Sequence, residues 1–249
     1  MAQRSDRRSW LLLRWAAMTT LLAERLRQRV RIDGSAPLLT YYDVSSGERV
    51  ELSAISFGNW VDKTSNLLVD ELAVIEGDAI SMPLALEAPG HWLTAVWQLA
   101  CWQVGLTVDL TGDSPAAAIV TGRRWQGYQA REVFACALHP LGFGFDEPLP
   151  DGVRDYALEV RAYPDTFFGA PLDPAGTAWV DRERKLSQAD LVTGAGPARR
   201  RLVRAGDPWS TCRDGVLTAV MTGGSAVLVV GGNDDQLDQI ASSEHVAAL

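Results

Sequence analysis

The chain has 249 residues, 47% hydrophobic and 22% charged, which is enough to build one or two packed units without metal or disulfide staples and excludes wholesale disorder. Its 23 basic and 31 acidic side chains give a net charge of −8, which argues against a nucleic-acid or anionic-membrane partner for the bulk of the surface. Cys101, Cys136 and Cys212 are odd in number and unevenly spaced, so they read as buried thiols in a reducing, cytoplasmic compartment.

Met1–Ala17 carries Arg4, Arg7, Arg8 and Arg14 around a short apolar run, Trp10–Leu13. A secretory signal needs an apolar core of about 7–15 residues, and no later stretch approaches the roughly 20 apolar residues of a membrane span. Residues 1–17 are expected to be a disordered or mis-assigned extension, with Met18 opening the folded protein. Helical spacing becomes regular at Leu21, Leu22, Leu26 and Val30. Leu38–Tyr42 and Arg49–Leu52 flank the turn cluster Ser45-Ser46-Gly47 and predict a hairpin. Ser56 is placed to cap a helix whose apolar positions run from Phe57 to Leu72. Ala79–Leu86 then reads as a buried strand.

His91–Val104 predicts a helix that is apolar on nearly every side, with Trp92, Trp97 and Trp102, and Gly105 stands where a left-handed cap is wanted. Leu106–Leu110 follows as a strand, so Ala79–Leu110 is a βαβ unit and implies a parallel sheet. Further strands are predicted at Ala116–Val120, Val133–Leu138, Thr177–Val180 and Ala226–Val230. Helices are predicted at Asp155–Tyr163, Ser187–Val192, Arg213–Met221 and Asp234–Ser242.

Several of these stretches carry a family resemblance. Pro37–Tyr42, the helix from Ser56 to Leu72, Gly77-Asp78-Ala79-Ile80-Ser81-Met82 and His91–Gly105 are similar to the opening of AMP-forming acyl-CoA synthetases, members of the adenylate-forming superfamily. Asp214–Val230 and Gln236–Val246 resemble a later part of the same enzymes. More narrowly, Pro37–Asp43 and Leu138–Gly142 resemble segments of an actinobacterial group of short proteins of this kind. The resemblance covers about half of the chain.

Adenylation as the resemblance implies it requires a Ser/Thr/Gly-rich loop whose backbone N–H groups wrap a triphosphate. The corresponding interval, from Thr177 through Trp179 to Ser187–Leu191, has no glycine and reads Val180-Asp181-Arg182-Glu183-Arg184-Lys185. The family also uses an aromatic-x-Thr-Glu motif and a late Thr-Gly-Asp. Thr111-Gly112-Asp113 stands far upstream of the latter's place and reads as a turn that ends a strand. Leu249 comes before the family's C-terminal domain, with its catalytic lysine, could begin.

Among the remaining motifs, Thr193-Gly194-Ala195-Gly196 with Arg199, Arg200, Arg201 and Arg204 is the best anion-site candidate, with Thr193, Gly194, Gly196 and Arg199 as contacts. Its competitor is a solvated basic linker, favoured by Pro197 and by the missing Gly-Lys-Ser/Thr ending. Trp209 occupies a position that in the family lines the approach to the acyl pocket, with core packing as the alternative. His91, His139 and His245 fall in separate segments without metal-ligand spacing, and no Gly-x-Ser-x-Gly elbow is present.

The expectation is an α/β fold of mainly parallel sheet layers flanked by helices, like part of the N-terminal domain of adenylate-forming enzymes, spanning residues 18–249. No catalytic residue, cofactor or metal is assigned, and no nucleic-acid or membrane partner. The leading function is a non-catalytic, acyl-CoA-synthetase-like binding or assembly module, met by a second copy or another protein. The alternative is an acyl- or nucleotide-binding enzyme subunit completed by another chain.

Overall fold

The computed structural model describes residues 21–113, 115–128, 132–192 and 196–246. The extension expected over residues 1–17 lies outside them.

Helix α1 (Leu22–Asp33) buries Leu22 and Leu26, one turn apart, and leads into strands β1 (Pro37–Asp43) and β2 (Glu48–Ser53), which pair antiparallel. Asp43 closes the turn between them: its Oδ1 accepts from the Ser45 backbone at 2.8 Å and from the Ser45 hydroxyl at 2.6 Å. Helix α2 (Ala54–Leu72) begins earlier than predicted. Its cap is Ser53, whose hydroxyl accepts from the Ser56 N–H at 3.2 Å, so Ser56 lies inside the first turn.

The βαβ unit is present with one correction. β3 (Ala79–Ser81) stops after three residues because Pro83, which cannot donate to a ladder, opens the short helix α3 (Pro83–Glu87). Helix α4 (Trp92–Val104) is buried along its whole length and ends on Gly105, at φ 85°. A side chain there would be strained, and its Cβ would stand 2.9 Å from Leu172 Cδ2. β4 (Thr107–Asp109) then returns parallel to β3.

The large sheet is completed by β5 (Ala118–Thr121), β6 (Val133–Ala135), β7 (Val153–Asp155), β8 (Thr177–Val180) and β9 (Lys185–Ser187), in the order β7-β6-β5-β3-β4-β8-β9. Every pairing is parallel except β8 with β9. Three expectations are corrected here. The strand at Val133 ends at Ala135, short of Leu138, which sits at φ 57°. The helix from Asp155 reduces to the single turn α5 (Tyr156–Glu159) and a 3-10 turn, with Asp155 as its cap. The helix predicted at Ser187–Val192 is instead β9, drawn out by Leu186 pairing with Trp179, followed by a 3-10 turn at Ala189–Leu191.

The small sheet has the order β10-β11-β1-β2, from β10 (Arg200–Arg204) and β11 (Ser225–Val230), with β10–β11 and β11–β1 parallel. Between these two strands the chain forms α6 (Pro208–Cys212), a π turn at Arg213–Leu217 and α7 (Thr218–Thr222). Helix α8 (Asp234–Ser243) follows, closed by a capping box between Asn233 and Gln236. Helix α4 touches α1, α2, β4 and β1, which places it between the two sheets. The helix read as apolar on nearly every side is therefore covered from within the chain. Among the described residues no helix is long and apolar enough to cross a membrane.

His91 caps α4 with its ring: Nδ1 accepts from the Leu93 N–H at 3.1 Å, and Tyr41 and Trp92 pack on either side. Burial pulls its pKa down to about 4, against the weaker opposing effects of the Leu138 carbonyl and Asp43. The unfolded chain protonates at the ordinary histidine value, so stability is lost as pH falls from about 6.5 toward 4. Asn at this position keeps a capping oxygen. Chemical denaturation at pH 7 and pH 5 should show the wild type losing about 2 kcal/mol more than His91→Asn.

Candidate functional site

The arginine run expected as a linker is an edge strand. β10 pairs with β11 from Arg200 opposite Ser225 to Arg204 opposite Val229. The strand enters across Gly224, where an added Cβ would lie 2.2 Å from the Arg199 carbonyl oxygen, so only glycine lets the two backbones meet. Alternation then sends Arg200 to one face of the sheet and Arg201 to the other.

Arg200 reaches across its neighbours to the Ser225 hydroxyl at 3.2 Å and the Thr40 hydroxyl at 2.9 Å, and it also pairs with Glu244. Glu244, just after α8, accepts in addition from Arg49 Nε at 2.9 Å and from the Tyr42 hydroxyl. Burial opposes the charge on Glu244, but these donors outweigh it and hold its carboxyl down at about 2. Three strands and the last helix thus converge on one carboxylate. No sequence signal brings these residues together, because they lie up to 202 positions apart.

Two cavities open beside this network. One, of about 480 Å³, lies at the amino ends of β10, β11 and β1, lined by Arg29, Arg199, Gly224, Glu244 and His245 among others. The other, of about 660 Å³, is a slot along β10, walled by Asp214 and Thr218 on one side and Asp238 and Ala241 on the other. Arg199 lines both. Arg201 borders the slot, and its Nη1 is buried without a hydrogen-bond partner among the described residues.

Thr193 and Gly194 lie outside the described residues. Gly196 is exposed, 3.7 Å from Arg201 Nη2 by its added Cβ. Trp209 is 7% exposed and packs on Trp179, with ring centroids 5.2 Å apart. Trp179 in turn packs on Trp102, so these three rings form one core stack. Burial pushes all three cysteine thiols well above their ordinary range. Thr111-Gly112-Asp113 is a turn ending β4, with Thr111 N–H and hydroxyl donating to Asp109 Oδ1 at 2.8 and 2.7 Å.

Within the glycine-free interval singled out in the sequence, Asp181 closes the β8–β9 hairpin. Its Oδ1 accepts from the backbone N–H groups of Glu183 at 2.8 Å and Arg184 at 2.7 Å. Its Oδ2 accepts from the Trp179 indole and the Arg184 guanidinium, each at 2.8 Å. Burial works against the charged form, yet these four donors keep the Asp181 carboxyl below its usual range.

Glu244 generates a stability test. A carboxylate held down at about 2 contributes stability above the unfolded value and loses it as pH falls from about 4.5 toward 2. Glu244→Gln should cost about 1–2 kcal/mol at pH 7, at the lower end because Arg49 is 44% exposed. In urea titrations the gap to wild type should narrow below about pH 4.

No protein-family model matches the chain. Among solved structures, an acyl-CoA synthetase of Brucella canis aligns with a TM-score of 0.68 and 13% identity over 92% of this chain and 46% of its own. The N-terminal domain of FACL13 from Mycobacterium tuberculosis aligns with a TM-score of 0.65 and 12% identity over 92% of this chain and 62% of its own. A coronafacic acid ligase from Pectobacterium brasiliense aligns with a TM-score of 0.63 and 12% identity over 90% of this chain and 48% of its own. The fold is therefore that of acyl-CoA synthetase N-terminal domains, of which this chain spans about half to two thirds of the solved lengths. A TIGR03089 family protein of Mycobacterium tuberculosis (strain ATCC 25618 / H37Rv) is 34% identical over 248 residues, covering 93% of this chain and 98% of that protein, and the chain belongs to this TIGR03089 family.

Proposed function

We propose that this protein is a binding or assembly module built on the acyl-CoA synthetase N-terminal fold, and that it does not adenylate carboxylic acids. The observation that carries this reading is the Asp181 hairpin. A triphosphate needs converging, unoccupied N–H donors. Here the donors of the corresponding turn already face a carboxylate, and that carboxylate would repel phosphate oxygens. The basic cleft around β10 lies on the other sheet and is the surface that recognises a partner.

A second reading is favoured by the 480 Å³ cavity, where Arg29 and Arg199 flank a volume in the usual range of small-ligand sites. In that reading the chain is a subunit that holds an anionic acyl or nucleotide ligand. A fatty acid, a nucleotide or a CoA thioester that raises the melting temperature would bring it forward, since binding the native state alone stabilises it by mass action.

Purified protein with ATP, Mg²⁺ and a panel of carboxylic acids should exchange no pyrophosphate into ATP above a no-protein control. Exchange that persists through repurification would overturn the proposal.

A further inference from the structure

Building on the binding-module reading, we propose that the open edge of β10 is a strand-addition site that takes an extended acidic segment of a partner protein. The phase of the ladder shows which groups are available. The Arg199 carbonyl accepts from Ser225 N–H, and Ala205 N–H donates to the Val229 carbonyl. In a parallel pair, successive residues turn their backbone groups to opposite sides. Odd-numbered residues therefore face β11, and the N–H and C=O groups of Arg200, Leu202 and Arg204 face the open edge. Among the described residues no strand pairs there.

The slot of about 660 Å³ runs along this edge, with the π turn and α7 over one face of the sheet and α8 over the other. Such a site admits a single added strand between two helical walls. Charge along β10 selects the occupant; Asp214 and Asp238 also line the slot, Asp214 being paired with Arg213 at 2.7 Å. Arg199, Arg200, Arg201 and Arg204 lie within six positions of one another. Arg200 is engaged with Glu244, and Arg204 with Asp234 at 3.2 Å. The buried Nη1 of Arg201 faces no acceptor among the described residues, and a carboxylate on an added strand would supply one. Two copies meeting edge to edge would instead set arginines against arginines, and like charges directly opposite destabilise a sheet.

The test uses the full chain and a fluorescent peptide of about nine residues alternating glutamate and valine. Controls are the lysine–valine counterpart and the acidic peptide N-methylated at alternate amides. Fluorescence anisotropy should show binding of the acidic peptide alone, weakened about tenfold or more by Arg201→Gln and by raising NaCl from about 50 to about 500 mM. Leu202→Pro removes an edge-facing N–H without touching the β11 ladder, so it should abolish binding while leaving the circular dichroism spectrum unchanged. No binding of the acidic peptide, or equal binding of its N-methylated form, would overturn strand addition. So would a light-scattering dimer that excludes the peptide, since a second copy would then occupy the edge. Each of these leaves the non-adenylating reading to its own pyrophosphate-exchange test, and if Leu202→Pro misfolds, the N-methylated peptide still decides.

Discussion

Helix α4 has no solvent face, so its polar groups depend on partners inside the protein; the indole nitrogens of Trp92 and Trp97 have none among the described residues, whereas others tie the helix to its neighbours. The Trp102 indole donates to the Ala178 carbonyl at 2.8 Å, tying the helix to β8. Gln103 donates to Asp62 at 2.7 Å and Thr94 to the Ala88 carbonyl at 2.7 Å, which lock it to α2 and to the preceding turn. Burying three tryptophans supplies much of the apolar driving force, and each contributes several kcal/mol on the scale of about 25 cal/mol per Å². With both of its sides occupied, α4 sets the spacing of the two sheets, and the remaining elements are arranged around it.

The small sheet depends on that arrangement through one face and on charge through the other. Leu39, Tyr41 and Leu228 turn inward and are almost fully buried. On the outer face a carboxylate and two guanidinium groups do the joining, and α8 buries none of its own residues. The last helix is therefore tied at both ends by charge, by Asp234 to Arg204 at its start and by Glu244 to Arg49 and Arg200 just after its end. The helix stands beside the sheet with none of its residues fully buried, and the slot along β10 runs between it and Asp214 and Thr218.

Shared architecture with acyl-CoA synthetases does not carry shared chemistry, because chemistry resides in loops mounted on the fold. The β8–β9 connection is one such loop. In this chain it is a turn of charged residues in which one aspartate accepts from the backbone N–H groups of Glu183 and Arg184, a self-satisfied hairpin.

Much of the fold was legible in the sequence where local chemistry acts alone. Gly105 after an apolar run, the Asp43 turn, the buried run Ala226–Val230 and the glycine-free interval at Asp181 each announce their structure through residues adjacent in the chain. The candidate site was less so. Arg200–Arg204 reads as a solvated charge run, and it became a strand only because β11 offered a parallel ladder and Glu51, Thr40 and Glu244 accepted from Arg200. At Ser187–Val192 the predicted helix gives way to the end of β9, where Ser187 pairs with Thr177, and to a 3-10 turn at Ala189–Leu191. By itself the sequence determined the α/β class, the βαβ unit and the glycine-free charged turn between β8 and β9, since capping, turn and glycine requirements are local. Only the tertiary structure decided that the arginines form an open edge between two helices, because strand pairing and ion pairs across up to 202 positions have no local signature.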